Sequence, residues 1–209
     1  MKYKHIIFDL DGTLIDTEAA VLNSLKETLQ ETHNGDYKLE DLHFALGIPG
    51  VTALQMLKVD DIEKVVSVWQ KKFKSHFSKV RLFPYIKELL FAIKDENMKI
   101  GVLTSKTRLE YIEDFLPFGL QDKIDISLCI DDYHNPKPSS AGMLLYLKQA
   151  GIKADEALYI GDTMYDYQCA REAGVDFGLA VWGCKQFEGI NAAYFIMYPE
   201  EVVKIIKRA

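Results

Sequence analysis

Short apolar segments alternate with longer helical segments over most of this chain. The apolar run His5–Phe8 and the segments "MKIGVLTS", "ISLCIDD", "EALYIGD" and "DFGLAVWG" each have the length of one β-strand, and most end in Thr, Ser, Asp or Gly. Helical stretches such as "KPSSAGMLLYLKQAG" separate most of them. Because strands that alternate with helices pair in parallel and are covered on both faces, the pattern predicts an α/β fold with a parallel sheet.

A block of helical segments interrupts this alternation near the N-terminus. The stretches "TEAAVLNSLKETLQETH" and "DDIEKVVSVWQKKFKSHF" place their apolar residues at helical spacing. The first strand belongs with the later strands, so the block is an insertion. We therefore expect a core domain made of residues 1–15 and 81–209, and a small all-helical cap domain of residues 16–80 inserted after the first strand.

Composition excludes several classes of partner. The net charge is −6 and the isoelectric point is near 5.4, which argues against a protein that binds nucleic acid through a basic surface. Three cysteines form no CxxC pair, as expected in a reducing compartment. Asp9 interrupts the first apolar run far short of a signal-peptide core or a membrane span. We expect a cytoplasmic protein, a monomer or weak dimer, with no nucleic-acid or membrane partner.

Polar residues follow the predicted strands at the point where each strand ends. Asp9 and Asp11 follow the first strand, Thr104 and Ser105 follow "GVL", and Asp162 follows "YIG". In an open parallel sheet, ligands bind beyond the carboxyl ends of the strands. We therefore expect these side chains to meet at one edge of the sheet.

The acids among them indicate a cation. Asp9, Asp11, Asp162 and Asp166 would repel one another at one sheet edge unless positive charge lay between them. Carboxylates with few His or Cys neighbours favour a hard, oxygen-seeking ion, so Mg²⁺ is the expected metal. Lys137 in "NPKPSS" would supply a second positive charge, although a solvated lysine beside a helix start is the simpler interpretation of that residue alone.

A site with Mg²⁺, a lysine and hydroxyl groups suits a phosphoryl group, whose transfer depends on positioning and on neutralising charge. An aspartate can itself attack phosphorus and form an aspartyl-phosphate. On this hypothesis Asp9 is the nucleophile, and Asp11 protonates the leaving oxygen and later takes a proton from the hydrolytic water. Two acids then stand close together because two functions are needed on opposite sides of one phosphorus atom.

Four segments, in order, resemble a known family. "DLDGTLIDT", "GVLTSK", "NPKPSS" and "YIGDTMYDYQCAREAG" are similar to the motifs of haloacid dehalogenase-like phosphatases with a helical cap inserted after the first motif. The resemblance covers nearly the whole chain and implies a Rossmann-like core. Among cap-bearing relatives the chain is most similar to phosphoglycolate-phosphatase-like enzymes, except that Tyr85 stands where those relatives usually have Gly.

The resemblance also implies roles for individual residues. Asp9 would be the nucleophile and Asp11 the acid and base, in agreement with the hypothesis above. Thr104, Ser105 and Lys137 would bind the phosphate of a small phosphorylated metabolite, either a phosphoglycolate-like compound or a sugar phosphate. The implied Mg²⁺ ligands are the side chains of Asp9 and Asp162 and the main-chain carbonyl of Asp11, with Asp166 supporting the metal or the lysine.

Two alternatives to a phosphatase remain open at this point. A β-phosphoglucomutase-like enzyme would share the core motifs but use a basic cap loop to hold a second phosphate. The cap segment "ALGIPGVTALQML" has no basic residue, and the first arginine of the chain is Arg81, which disfavours a mutase. A catalytically idle phosphate-binding regulator would also keep the fold, but every acid needed for turnover is present.

Overall fold

The computed structural model describes residues 2–208, which form a six-stranded sheet, a two-stranded sheet and the helices around them. The strands are β1 His5–Phe8, β2 Ile15–Asp16, β3 Arg81–Leu82, β4 Lys99–Leu103, β5 Ile126–Leu128, β6 Ala157–Gly161, β7 Asp176–Ala180 and β8 Tyr194–Ile196. The α-helices are α1 Glu18–His33, α2 Gly50–Met56, α3 Ile62–Ser75, α4 Ile86–Asp95, α5 Arg108–Asp114, α6 Ala141–Ala150, α7 Met164–Ala173 and α8 Glu201–Arg208.

The six-stranded sheet is parallel throughout and has the order β5-β4-β1-β6-β7-β8. At the end of β1, Phe8 pairs in register with Val102 of β4 and with Ile160 of β6. The carboxyl ends of these three neighbouring strands therefore lie side by side. This arrangement confirms the predicted α/β fold and brings together the loops that carry most of the expected site residues.

Apolar side chains cover both faces of the sheet. In β1, Ile6 and Phe8 belong to the cluster on one face and Ile7 to the cluster on the other, because successive strand residues point to opposite sides. All three side chains are buried. A strand that is buried on both faces reads as a continuous apolar run, as "HIIF" does.

The edge strand β8 was not predicted. It has three residues, and its central residue Phe195 is exposed. A segment this short contains too few residues to show an alternating pattern, so only its pairing with β7 identifies it as a strand.

Helices α1, α2 and α3 and the segments between them form a third apolar cluster that is separate from the two clusters of the sheet. Its buried members are Leu22, Leu25, Leu29, Leu42, Ala45, Ala53, Leu54, Val59 and Val65. The short antiparallel pair of β2 and β3 joins this unit to the sheet, with Asp16 opposite Arg81. Asp16 thus lies in a strand, and the helical part begins two residues later than the expected boundary.

The division into residues 1–15 with 81–209 and residues 16–80 stays a prediction, and its outermost positions, 1 and 209, lie outside the described residues. We call the unit that contains α1 to α3 the cap, and the unit around the six-stranded sheet the core. At its carboxyl end, α3 contributes Phe73, which packs against the core cluster. The cap is therefore in contact with the core in this structure.

The longest helix, α1, has 16 residues and buries one face, including Leu25 and Leu29, in the cap. A helix needs about 20 mainly apolar residues to cross a bilayer. Within residues 2–208, no helix meets the requirements of length and apolar character for a membrane span.

Candidate active site

The loops after β1 and β6 bring three carboxylates together. Asp9 follows β1, Asp162 follows β6, and Asp166 lies in the first turn of α7. One carboxylate oxygen of each lies within 4.8 Å of the others, and all three side chains are buried. Three of the four acids that were expected to converge at the sheet edge thus do so, and Asp11 is the exception.

Lys137 reaches this cluster from the loop before α6. Its Nζ lies 2.6 Å from Oδ1 of Asp9, 2.6 Å from Oδ1 of Asp166 and 3.1 Å from the hydroxyl of Tyr159. The residue is only 3% exposed, so it is not the solvated lysine that its sequence context allows. The two carboxylates outweigh the opposing effect of burial and raise the pKa of Lys137, so the side chain is cationic.

The protein itself satisfies both oxygens of Asp166. Oδ1 accepts hydrogen bonds from Lys137 and from the Tyr159 hydroxyl at 2.8 Å, and Oδ2 accepts from the backbone N–H and the hydroxyl of Thr163. The Thr163 contacts form a capping box at the start of α7. Burial works against ionisation, but these donors outweigh it and hold the pKa of Asp166 below its usual value.

Asp162 has a different environment, in which its Oδ1 accepts a hydrogen bond from the Thr13 hydroxyl at 3.1 Å. Burial, followed by the charges of Asp166 and Asp9, raises the pKa of Asp162 well above its usual value. Burial also raises the pKa of Asp9 to about 7, against the opposing effect of Lys137. The positive charge near Asp9 and Asp162 is therefore too small to balance both carboxylates. A divalent ion with a preference for oxygen ligands fits the oxygen atoms that these two residues provide.

Asp11 lies at the wall of the same site and is partly exposed. Its Oδ1 accepts a hydrogen bond from the Thr17 hydroxyl at 2.7 Å and lies 3.3 Å from Nζ of Lys106. Lys106 also contacts Asp114 at 2.8 Å and lies 5.1 Å from the centre of the Phe73 ring of the cap. The side chain of Asp11 stands outside the three-carboxylate group, so the predicted role of Asp11 in metal binding concerns its main-chain carbonyl alone.

The two hydroxyl residues after β4 occupy different positions. Thr104 is buried, and its Oγ1 accepts a hydrogen bond from the backbone N–H of Lys106 at 3.1 Å. Ser105 donates a hydrogen bond to the main-chain oxygen of Gly47 in the cap, at 3.1 Å. Both residues line the cavity described below, and Ser105 in addition links the core to the cap.

Two glycines allow close packing of the chain beside Asp162, Gly12 against Asp162 itself and Gly183 against Gly12. Gly12 has φ +78, and a Cβ at this position would lie 2.2 Å from Oδ2 of Asp162. A Cβ at Gly183, in the loop after β7, would lie 1.7 Å from the main-chain oxygen of Gly12. Only residues without side chains fit at these two positions.

A cavity of about 1080 Å³ lies between the cap and the core. Its core side includes Asp9, Asp11, Asp162, Thr104, Ser105 and Lys106, and its cap side includes Phe44, Gly47, Trp69 and Phe73. The predicted site residues thus face a space that the cap covers. Lys137 lies behind this surface and contacts the lining residue Asp9, and Asp166 in turn contacts Lys137.

Three residues of the site were given no role from sequence. Tyr159 lies in β6 and resembles an ordinary core aromatic, yet its hydroxyl contacts Lys137 and Asp166. Lys106 and Asp114 form an ion pair beside Asp11. A signal exists for Asp114: it follows Tyr111 by three positions, so it shares the buried face of α5, where a charged residue requires a partner.

Comparison with known proteins identifies the family of this chain. The model of the haloacid dehalogenase-like hydrolase family matches residues 6–180. A phosphoglycolate phosphatase of Aquifex aeolicus is 30% identical over 96% of this chain and 95% of its own length. Pyrophosphatase PpaX of Halalkalibacterium halodurans is 27% identical over 99% of this chain and 98% of its own length.

Solved structures share the fold as well. A hydrolase from Pseudomonas syringae superimposes with a TM-score of 0.87 at 24% identity and covers 100% of this chain and 99% of its own. The family match includes the loops that carry Asp9, Thr104, Lys137 and Asp162. The chain belongs to the haloacid dehalogenase-like hydrolases.

Proposed function

We propose that this protein is a Mg²⁺-dependent phosphatase that hydrolyses a small phosphomonoester through an aspartyl-phosphate on Asp9. The observation that carries the proposal is the position of the Asp9 carboxylate, which faces the cavity between Lys137 and Asp162. A carboxylate that attacks phosphorus needs positive charge beside it, because the incoming phosphoryl group is itself anionic. Lys137 provides one such charge, and a Mg²⁺ ion at Asp9 and Asp162 would provide another. The names of the phosphoglycolate phosphatase and pyrophosphatase relatives support phosphoryl chemistry.

In the first step Asp9 attacks phosphorus and displaces the alcohol oxygen, which takes a proton from Asp11. In the second step the Asp11 carboxylate removes a proton from water as the water attacks the same phosphorus, and the Asp9 carboxylate leaves. The contacts of Asp11 with Thr17 and Lys106 both use Oδ1, so we assign proton transfer to Oδ2.

Other residues hold the phosphoryl group. Lys137 and the hydroxyls of Thr104 and Ser105 are assigned to its oxygens, and Asp166 keeps Lys137 in place. A Mg²⁺ ion held by Asp9, Asp162 and the main-chain carbonyl of Asp11 would neutralise charge on the phosphoryl oxygens.

Hydrolysis is favoured over mutase activity by the charge of the cap. The cap residues that line the cavity include one lysine, Lys74, which pairs with Glu113 of the core at 2.8 Å, and no arginine. A phosphosugar mutase must hold a second phosphate, for which arginine is the preferred clamp. We propose that the partner is a small phosphorylated metabolite and that the protein acts in the cytoplasm as a monomer or weak dimer.

The test is turnover of a panel of phosphate esters, with released phosphate as the measurement. We expect hydrolysis in Mg²⁺, loss of activity in EDTA and recovery when Mg²⁺ is restored. Acid quenching during turnover should trap a phosphoryl group on the peptide that contains Asp9, and Asp9→Asn should abolish both turnover and labelling. Conversion of hexose phosphates without phosphate release would instead establish the mutase, and binding without any turnover would establish the regulator.

A further inference from the structure

The lysines that line the cavity are each already paired with a carboxylate. Lys185 lies 2.6 Å from Glu18, Lys74 lies 2.8 Å from Glu113, and Lys106 lies between Asp11 and Asp114. His43 also lies near Glu18, at 4.0 Å. No arginine lines the cavity in the part of the chain that the structure describes. A second anionic group on a substrate would therefore have to compete with a protein carboxylate for each cation.

Further carboxylates increase the negative charge of the cavity. Glu40 and Asp41 of the cap and Glu188 of the core line it and are exposed to solvent. Carboxylates outnumber lysines among all the lining residues. Mg²⁺ and Lys137 would compensate the charge of the transferred phosphoryl group, because both positions adjoin Asp9. A second anion would meet a lining whose lysines are already paired with carboxylates, which is electrostatically unfavourable.

The cavity also offers apolar surface. Phe44 and Trp69 line the cavity and are half-buried. The Trp69 indole donates a hydrogen bond to Ser24 at 2.9 Å, and its ring lies against Gly50, where a Cβ would be 3.2 Å away. These contacts fix the orientation of the ring. Aromatic surface in a cavity lined mainly by carboxylates favours uncharged and cationic groups.

We propose that the enzyme selects phosphomonoesters whose alcohol part carries no negative charge, that is, an uncharged or positively charged alcohol. The proposal rests on the proposed phosphatase function and specifies its substrate class. Inorganic pyrophosphate and phosphorylated carboxylic acids become poor substrates, because their second anion enters a cavity in which each lining lysine is already paired with a carboxylate. The chemistry of the site then differs from what the names of the sequence relatives indicate.

The experiment compares three esters of similar size that differ in the charge of the alcohol part: 2-phosphoglycolate, its uncharged amide and phosphoethanolamine. We expect kcat/KM for the amide and for phosphoethanolamine to exceed that for 2-phosphoglycolate by about 10-fold or more, the scale of one or two unfavourable charge contacts. Inorganic pyrophosphate should be as poor as 2-phosphoglycolate. Equal or better turnover of either anion would overturn the proposal.

Two variants test the charge argument directly. Glu18→Gln releases Lys185 from its ion pair, and we expect the ratio of kcat/KM for 2-phosphoglycolate to that for the amide to rise about 5-fold. Adding Lys185→Gln to Glu18→Gln should reverse the rise, because the released cation is then removed. A ratio that is the same in all three proteins would contradict the assignment.

Binding to the Asp9→Asn variant separates this proposal from the proposed function. Calorimetric titration of that variant with the three esters measures selectivity without turnover. If the wild-type protein hydrolyses none of the esters, nor p-nitrophenyl phosphate, the phosphatase function is wrong, but the affinities still decide the charge preference. Affinity for 2-phosphoglycolate equal to or above that for the amide would overturn the preference.

Discussion

Nζ of Lys137 lies 2.6 Å from Oδ1 of Asp166, and both groups are almost completely buried. Burying an ion pair is costly unless each charge is fully hydrogen-bonded. Tyr159 and Thr163 provide the remaining donors to Asp166. With its oxygens occupied in this way, Asp166 is better suited to hold Lys137 than to bind a metal directly.

This arrangement predicts different effects for the two acids that follow β6. Asp162→Asn should raise the Mg²⁺ concentration needed for half-maximal activity by at least about 10-fold more than Asp166→Asn does, because only Asp162 is expected to contact the ion. Asp166→Asn should mainly lower kcat by releasing Lys137 from its position. The measurement is activity as a function of Mg²⁺ concentration for both variants. Equal shifts in the Mg²⁺ requirement would assign both acids to the metal.

Asp11→Asn should reduce kcat by about 10²-fold or more while leaving phosphate binding intact, since general acid and base catalysis contributes on that scale. The leaving group of p-nitrophenyl phosphate departs with less need of a proton. Asp11→Asn should therefore slow the first step less with this ester than with an alkyl phosphate. Pre-steady-state release of p-nitrophenol measures that step. Full activity of Asp11→Asn on an unactivated alkyl phosphate would falsify the role of Asp11.

Gly12→Ala should abolish activity, because the added Cβ would lie 2.2 Å from Asp162 and the backbone at Gly12 has φ +78. Gly119→Ala is a matched control: its φ is +69, but a Cβ there meets no atom within 4 Å. The control should lose about 1 kcal/mol of unfolding free energy from backbone strain and keep its kcat. Chemical denaturation and steady-state kinetics of both variants separate strain from the clash. If both lose activity equally, the contact with Asp162 is not the cause.

Tyr85, which stands where the cap-bearing relatives usually have Gly, has φ 65 and is 57% exposed. A side chain in this left-handed region is strained, and little burial compensates for it. Tyr85→Gly should therefore raise the free energy of unfolding by about 0.5–1 kcal/mol, as measured by urea denaturation. Tyr85→Ala keeps the Cβ and should give no such gain. Destabilisation by the Gly variant would show that the tyrosine ring makes a favourable contribution larger than the strain.

His5, which is not part of the carboxylate cluster, makes the free energy of unfolding depend on pH. Burial lowers the pKa of His5, whose Nδ1 lies 3.0 Å from the Tyr146 hydroxyl. Between the unfolded pKa of about 6.5 and the lower folded value, the unfolded chain binds a proton that the folded protein does not. The stability that neutral, buried His5 contributes to the folded protein is therefore present above about pH 6.5 and is lost as the pH falls through this window.

The measurement is the free energy of unfolding from pH 7.5 to pH 5.5 for the wild type and for His5→Asn. We expect the wild type to lose more stability than the variant over this range, because the other histidines are common to both proteins. Parallel curves would show that His5 titrates alike in the folded and unfolded chains.

Local patterns in the sequence determined the α/β fold, the presence of a helical insertion, and the acids at the strand ends. Strand and helix periodicities extend over a few neighbouring residues, and the parallel pairing that they imply brings Asp9 and Asp162 to one edge. The edge strand β8 could not be predicted in the same way, since its three residues are stabilised by pairing with β7 rather than by their own pattern.

Only the tertiary structure decided which polar residues act together. The segment "NPKPSS" reads the same whether Lys137 is solvated or buried, and its two carboxylate partners lie 128 and 29 positions away in the chain. The hydroxyl of Tyr159 likewise meets Lys137, 22 positions away, only in the folded chain. The charge of the cavity likewise depends on ion pairs between cap and core, such as Lys185 with Glu18. Electrostatic energies follow distance in space and burial, and the order of residues along the chain does not specify either.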